Sequence, residues 1–432
     1  MLPPVVMGAA PTVQYDCDEG TGTILGNSPA GANDGALAGA TWTANGYEGG
    51  GVVMAAEGQR ITIPSGLLSA ATEFSIMAWV NPDATPVGST LFDIGTDANQ
   101  HLALSLSDGT GMKLVLKTAT LDLKGTALIP LPRNRWSHVA VTLGAGQVTA
   151  FVDGRPFVRI ATTLLASDLG ESADAWVGQP RGTGTNFYGT VDDVRLYDRL
   201  VDPREISQIV VKHADYIYFT FDEACPQQVA AIAPAGMSAT MPNGASIVPG
   251  RIGNAIEINV PDKIGQYVAF DTGIVEKCTH ELTVATWVNL KTLDQWSRIF
   301  DFGLDETTFM YLTPNAGGDV RFGAKLHADP FDQSQEQLLL RPGFGVGSWH
   351  HVAVVLGTDN TGHLYIDGAE VATNTAITMK PSDMGSSNNN FLGRSQFDPD
   401  PYLSARLDDV VISCRAFTFD EIQLLAKVAS SL

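Results

Sequence analysis

The sequence predicts an all-β protein built as two tandem β-sandwiches, each ending in a short capped helix. At 432 residues the chain is longer than one hydrophobic core ordinarily fills, so two domains are expected. Its apolar residues fall in short runs rich in Val, Ile, Phe and Thr, punctuated by 44 glycines and 23 prolines, a composition that favours many short strands over long helices. The same landmarks are also written twice in the same order.

The individual elements follow from local pattern. In "TEFSIMAWVNP", Phe74, Ile76, Ala78 and Val80 alternate with Ser75, Met77, Trp79 and Asn81, a period of two that makes a strand with one strongly apolar face. The segment recurs as "HELTVATWVNL", with Trp287 opposite Trp79, 208 residues on. "TLFDIG" returns as "RIFDFG" at the same offset, Asp93 opposite Asp301. "NRWSHVAVTL" returns as "GSWHHVAVVL", Trp136 opposite Trp349, and "AFVDGRP" as "LYIDGAE", Asp153 opposite Asp367, at offsets of 213 and 214 that small loop insertions require. Asp153-Gly154 and Asp367-Gly368 sit between alternating flanks, the mark of two-residue hairpins whose turn needs positive φ. Each copy closes on a helix signal. In "VDPREISQIV", Asp202 caps, Pro203 takes the first helical position and Glu205 reaches back; in "TFDEIQLL", Thr418 and Glu421 form a capping box. The copies meet near residues 211–214, "VKHA", giving domains 1–212 and 213–432 with a junction too short for free swinging.

The chain carries 47 acidic against 26 basic side chains, a formal net charge of −21. Nucleic acid and anionic membrane are repelled, which leaves sugars, proteins and cations as partners. No apolar stretch approaches the roughly 20 residues of a membrane-spanning helix. The opening "MLPPVVMGAA" lacks the basic start and long apolar run of a signal peptide, so the sequence reads as a mature or excised segment. Cys17, Cys225, Cys278 and Cys414 include no CxxC pair and no histidine at metal spacing, which argues against a zinc or thiol-redox site. Buried free thiols are expected; a disulfide among the last three stays open, its pairing unreadable.

The ordered set "YDCDEGTGT", "NDGALAGATW", "FSIMAWVNP", "RWSHVAVTL", "FVDG" and "GTVDDVRLYDR" resembles the laminin-G-like, concanavalin A-like jelly-roll domains of bacterial secreted and cell-surface proteins, often found beside glycosidase modules. The second half, with "FDE", "RIFDFG", "WHHVAVVL" and "LGRSQFDPDPYLSARLDDV", resembles the same family, and together the copies cover nearly the whole chain. The resemblance implies two tandem concanavalin A-like jelly rolls in an extracellular or cell-surface setting. It implies far less about function, because this scaffold carries lectins, glucanases, lyases and plain spacers.

A glucanase of this class needs a nucleophile and an acid/base carboxylate about 5 Å apart, written Glu-x-Asp-x-x-Glu in the family. No Glu here is followed two residues later by Asp. The Arg/Glu and Gln-x-His strands of alginate-lyase-like relatives are not found either, so catalysis is not expected. Asp93 and Asp301, each close before a glycine, read as turn anchors. His138 and His351 have no repeated Ser, Cys or acid beside them and read as hydrogen-bonded strand residues; Trp136 and Trp349 read as packing anchors.

Sugar binding needs exposed aromatic rings with polar neighbours, and candidates lie where the copies differ. In the first half these are His101, Trp176, Phe187 and Tyr188; in the second, Trp296, Phe309, Tyr311, Phe397 and Tyr402. Trp176, Phe187, Tyr188, Trp296, Tyr311 and Tyr402 are the expected ligand-binding residues.

Each copy also carries an Asp doublet inside an apolar strand. By strand parity Asp192 shares a face with Val194 and Leu196, and Asp193 with Arg195 and Tyr197; Asp408 goes with Val410 and Ile412, and Asp409 with Val411 and Ser413. The first aspartate of each pair then faces the more apolar side, where an unpaired charge costs several kcal/mol. A calcium ion, held by carboxylates and carbonyls, would satisfy it. The resemblance agrees: relatives hold calcium through the Asp of a final strand written like "VDDVRLY". The expected structural calcium, one per domain, is thus held by Asp192 with Asp18 and carbonyls near Asn33-Asp34-Gly35, and by Asp408 with Asp222. Strand-end hydrogen bonding to turn amides is the alternative for all four aspartates; calcium ranks above it in the first copy and equal to it in the second, which writes "GMSATM" where the first has "NDGALA".

The expected function is a non-catalytic carbohydrate-binding or surface-interaction module, accessory to a larger secreted glycan-processing or cell-surface protein, with a polysaccharide or glycoconjugate as partner. The alternatives are a glycosidase or lyase on the same fold and a purely structural spacer.

Overall fold

The computed structural model describes residues 8–28, 32–84, 87–127, 130–170, 173–211, 216–222, 228–230, 238–259, 265–329 and 332–427. The chain divides into two compact units between Val210 and Val211.

In the first unit, one sheet runs in spatial order Arg155–Ala161, Gln147–Val152, Ser137–Gly144, Phe74–Ala84, Tyr188–Tyr197, Gly51–Met54 and Thr41–Thr43, with Val13–Tyr15 paired to Tyr188–Tyr197. We call this the doublet sheet, because Asp192 and Asp193 lie in it. The facing sheet runs Leu121–Thr126, Lys113–Thr118, Gln100–Ser105, Ser89–Asp97, Asp174–Val177, Arg60–Ile63, Gly35–Ala38 and Ile24–Leu25, with Thr185–Asn186 beside Ser89–Asp97; we call it the Asp93 sheet. The second unit repeats the plan. Its doublet sheet runs Ser246–Pro249, Asn254–Ile258, Ala405–Ser413, Leu282–Leu290, Trp349–Leu356, Gly362–Ile366 and Ala369–Asn374, with Tyr216–Phe219 on Ala405–Ser413. Its Asp301 sheet runs Gln228–Ala230, Ser238–Thr240, Val268–Phe270, Asn389–Leu392, Phe300–Asp305, Thr308–Thr313, Asp319–Lys325 and Gln337–Pro342. Both units are therefore jelly-roll sandwiches.

Alternation places the inward residues. In the second unit, Ile256, Val284, Val288, Val354, Val410 and Ile412 from one sheet pack with Phe300, Phe302, Met310, Leu312, Phe322 and Leu392 from the other. Each such buried side chain stabilises the fold by roughly 1.5–3 kcal/mol. The outward side of each doublet sheet is covered as well, which the period-two pattern alone does not show. The helix Pro203–Val211 lays Ile206 and Ile209 on Met77, Ala140, Phe151 and Tyr197, and Phe419–Ala426 lays Ile422 and Leu425 on Ala285, Ala353, Tyr365 and Val411. The second helix begins on the predicted capping box: the Thr418 amide donates to Glu421 at 2.6 Å and the Glu421 amide to the Thr418 hydroxyl at 3.3 Å. Both hairpins are as expected, with φ of 49° and 77° at Asp153-Gly154 and 51° and 78° at Asp367-Gly368.

Two cysteines depart from the expected free thiols. Cys278 and Cys414 form a disulfide across 136 residues, while Cys17 is buried and free. Cys225 and most of "VKHA" lie outside the described residues.

Candidate functional site

The parity reading of the doublet is overturned by a β-bulge. Asp193 and Asp409 take left-handed φ of 45° and 50°, and the register against the neighbouring strand shifts between Asp192 and Arg195 in the first copy and between Ala285 and Trp287 in the second. One extra residue reverses every later side chain. Asp192 pairs with Trp79 and Arg195 with Met77, so both lie on the outward face, and Asp408 and Val411 do the same opposite Trp287 and Ala285.

The calcium expectation is corrected with it. Among the described residues no group of three or more His, Cys, Asp or Glu is placed to hold a metal ion. The four expected ligands do come together in pairs, but around backbone N–H groups. One Asp192 oxygen accepts the amides of Tyr47 and Glu48 at 2.8 and 2.9 Å, and the other accepts its neighbour's amide from Asp193 at 2.7 Å. Asp18 accepts the Gly50 amide at 2.5 Å. In the second copy Asp408 accepts the amides of Arg251 and Ile252 at 2.7 and 3.0 Å, and Asp222 that of Asn254 at 2.7 Å. The expected carbonyl donor Asn33 instead receives the Tyr15 hydroxyl at 2.7 Å, and Asp34 receives the Asn27 amide at 3.0 Å. Each carboxylate pair thus clamps one tight turn, Gly46–Gly50 or Gly250–Gly253, and amide dipoles supply the positive partner. The turn needs glycine: at Gly253, φ 64°, a Cβ would stand 2.1 Å from the Asp222 carboxylate.

The clamped turn also positions a side chain. Tyr47 stacks on Trp79 with ring centroids 3.6 Å apart, and Arg251 lies 4.8 Å over Trp287. His138 and His351 meet those tryptophans edge-on at 5.3 Å. Burial holds the His138 imidazole down at about 3, so it stays neutral and unsuited to proton transfer near neutral pH. Asp193 pairs with Arg195 at 2.7 Å, and Asp409 accepts the Tyr218 hydroxyl.

The chemistry-bearing surfaces are the outward faces of the Asp93 and Asp301 sheets. Asp93 and Asp301 sit within strands rather than at turns of their own, yet each anchors a distant loop. Asp93 accepts the Arg181 amide at 2.8 Å, and Asp301 accepts the Gln396 amide at 3.3 Å. Around Asp93, His101 Nδ1 lies 2.8 Å away and Arg181 Nε 3.4 Å away; the Arg181 guanidinium also binds Asp174. Trp176 pairs directly across from Asp93, and its ring carries two guanidiniums, Arg60 at 4.5 Å and Arg181 at 4.1 Å. At the same register in the second unit stands Phe391, with Arg394 4.9 Å over it and over Tyr267. Beside it, Arg298 bridges Asp301 at 3.3 Å and Asp400 at 2.9 Å and lies 4.3 Å over Tyr311. Tyr311 donates to Glu336 at 3.0 Å, and Arg321 and Lys325 approach Glu336 at 3.2 and 3.8 Å. Burial pushes the Asp301 carboxyl up to about 7 despite the Arg298 charge.

The expected aromatic residues divide. Trp176 and Trp296 are half-buried on these faces, the latter with Arg321 5.5 Å from its ring; Tyr402 is half-buried beside Tyr267 at 6.1 Å. His101 lies against Asp93, and Phe397 packs on Phe309 at 5.5 Å. Phe187 and Tyr311 are fully buried, so neither ring is exposed as expected. Tyr188 begins a doublet-sheet strand, away from the Asp93 face. The arginines Arg60, Arg181, Arg298 and Arg394 are absent from the sequence reading; the scarcity of basic residues was the signal that could have drawn attention to them.

Residues 55–207 and 262–423 match the family model described as the concanavalin A-like lectin/glucanases superfamily. Among solved structures, the chain is similar to domain 4 of an extracellular arabinanase from Geobacillus stearothermophilus, solved with arabinotriose, at 21% identity and TM-score 0.38 over 47% of this chain and 98% of that one. It is similar to a sialidase from Trypanosoma rangeli at 23% identity and TM-score 0.39 over 49% of this chain, covering only 34% of the sialidase. A laminin-G segment of the mouse laminin alpha1 chain is similar at 11% identity and TM-score 0.28, over 83% and 88% of the two chains.

Proposed function

Because the chain belongs, through both of its halves, to the concanavalin A-like lectin/glucanases superfamily, we propose that it is a non-catalytic carbohydrate-binding unit, accessory to a larger secreted glycan-processing or cell-surface protein. One observation carries this reading. At the same register position of both units an outward-facing aromatic side chain lies under a guanidinium: the half-buried Trp176 with Arg60 and Arg181, and Phe391, 8% exposed, with Arg394. Rings and planar donors side by side offer the apolar edge and the hydrogen bonds that a sugar needs. Asp93, Asp174, Asp301, Asp400 and Glu336 are engaged in holding cations or loop amides, with Asp93 and Asp301 fully buried. A retaining pair must instead reach across a scissile bond. The Cys278–Cys414 disulfide supports an oxidising, extracellular setting. No helix among the described residues is long and apolar enough to cross a membrane.

The test is a panel of polysaccharides assayed for both binding and release of reducing ends. Binding without depolymerisation supports the proposal; depolymerisation lost on changing one carboxylate overturns it.

A further inference from the structure

The charge on the Asp93 face bears on the class of sugar, an inference that rests on the carbohydrate-binding reading. Asp93, Asp174 and Asp122 on this face each have a cation: Arg181 holds Asp93 and Asp174, and Lys124 holds Asp122 at 3.0 Å. Among the described residues, two further cations of the face bond only to neutral oxygens. Arg60 donates to the Thr62 hydroxyl at 3.1 Å and the Gln179 amide oxygen at 2.7 Å. Lys117 donates to the Ala98 carbonyl at 3.3 Å and to Asn99 at 3.0 Å. Lys113, on the same strand and face as Lys117, adds a third positive charge that acts on Asp108 in the adjoining loop. The Asp301 face is the contrast: Arg298 lies between two carboxylates, and Arg321 and Lys325 converge on Glu336.

In a chain of net charge −21, an excess of positive charge on one face stands out and concentrates anions there. Arg60 is held by Gln179 and by its stacking on Trp176, so its planar fork is already oriented for a bidentate anion such as a carboxylate or sulfate. The strand of Lys117 lies four strand steps from that of Arg60, about 19 Å at roughly 4.8 Å per step. A single sugar does not span that distance; a chain of several does.

We propose that the outward face of the Asp93 sheet binds an anionic polysaccharide, laid across the strands with acidic groups at Arg60 and Lys117. The second unit's balanced face does not share this preference.

Calorimetry on the whole chain tests this with polygalacturonate as the carboxylate probe, dextran sulfate as the sulfate probe and dextran as the neutral one. At about 50 mM salt, at least one polyanion binds about tenfold or more tighter than dextran, and the preference shrinks at about 300 mM salt as screening requires. Polygalacturonate alone identifies carboxylates as the acidic group, and dextran sulfate alone identifies sulfates. Lys117→Gln and Arg60→Gln each weaken that binding by at least about threefold, whereas Arg159→Gln, which removes an exposed charge from the doublet sheet of the same unit, does not. Lys117 is half-exposed, so its variant reports even where Arg60→Gln perturbs folding. Binding of neutral polysaccharides with no polyanion bound overturns the inference and leaves the carbohydrate-binding reading standing. Binding to no polysaccharide in either the neutral or the anionic class overturns both. Polyanion binding unchanged in Lys117→Gln and Arg60→Gln, or weakened equally by Arg159→Gln, overturns the placement on this face.

Discussion

The carboxylate of Asp192 accepts the backbone amide of Tyr47 at 2.8 Å, across 145 residues of chain. With the Glu48 amide and the Asp18–Gly50 bond, it closes the turn that sets Tyr47 on Trp79. Removing the carboxylate leaves the part-buried amides of Tyr47 and Glu48 without their acceptor. Asp192→Ala should therefore cost about 2–3 kcal/mol of stability in denaturant melts, and Asp408→Ala a similar amount. Asp193→Ala, losing only a partly exposed ion pair with Arg195, should cost about 1 kcal/mol or less. All three melts should be indifferent to added calcium and to chelator, since amides rather than a cation hold these groups; a chelator-dependent melt would refute the clamp.

Burial pushes the Asp192 carboxyl up to about 6 from 3.8, against the lowering effect of three amide bonds. The folded state thus holds this proton more tightly than the unfolded state does. Its contribution to stability is fully present below the unfolded value and is lost as pH rises through about 6. Relative to Asp192→Asn, which does not titrate, the parent protein should gain stability between pH 7 and pH 4, by up to about 3 kcal/mol at about 1.4 kcal/mol per pKa unit. Paired melts across that range would show it; a difference that stays flat with pH would mean that burial does not set this proton's affinity.

The Cys278–Cys414 disulfide closes a loop of 136 residues around the sheets of the second unit. On the chain-entropy account it should stabilise that unit by roughly 4–5 kcal/mol. Residues 1–212 and 213–432, expressed apart, should each melt cooperatively, and a reductant should lower the melting temperature of the second alone. Loss of cooperative folding in both pieces would contradict the two-domain account.

What was legible in the sequence was what depends on neighbours along the chain. The alternation at Phe74–Val80, the Asp-Gly turns and the Thr418–Glu421 capping box each need only a few residues to be read. The doublet was misread because parity assumes an unbroken strand, and the left-handed bulge at Asp193 leaves no mark in composition; an Asp-Asp pair was its one trace. Asp192 was rightly flagged as needing a partner, but amides 145 residues away have no sequence signature. The faces were half legible. Trp176 was visible as an aromatic residue where the copies differ, but Arg60 and Arg181 reach it from two other segments. Phe187 and Tyr311 looked the same as Trp176 in sequence but are buried, Tyr311 beneath Arg298 on the outward face of the Asp301 sheet.

Trp176→Ala should weaken polysaccharide binding at the first unit by removing the surface on which Arg60 and Arg181 rest, with stability changed by no more than about 3 kcal/mol for a half-buried ring. Isothermal titration beside a melt of the same variant separates the two effects. Unchanged affinity in a folded variant would move the binding surface elsewhere.

Titrating the whole chain with a panel of neutral and acidic polysaccharides, while assaying the same mixtures for new reducing ends, addresses the central claim most directly. The account predicts saturable binding to at least one polysaccharide, weakened by Trp176→Ala, with no reducing ends released. Release of reducing ends that is abolished by replacing a single carboxylate, or the absence of binding to every polysaccharide tried, would contradict it.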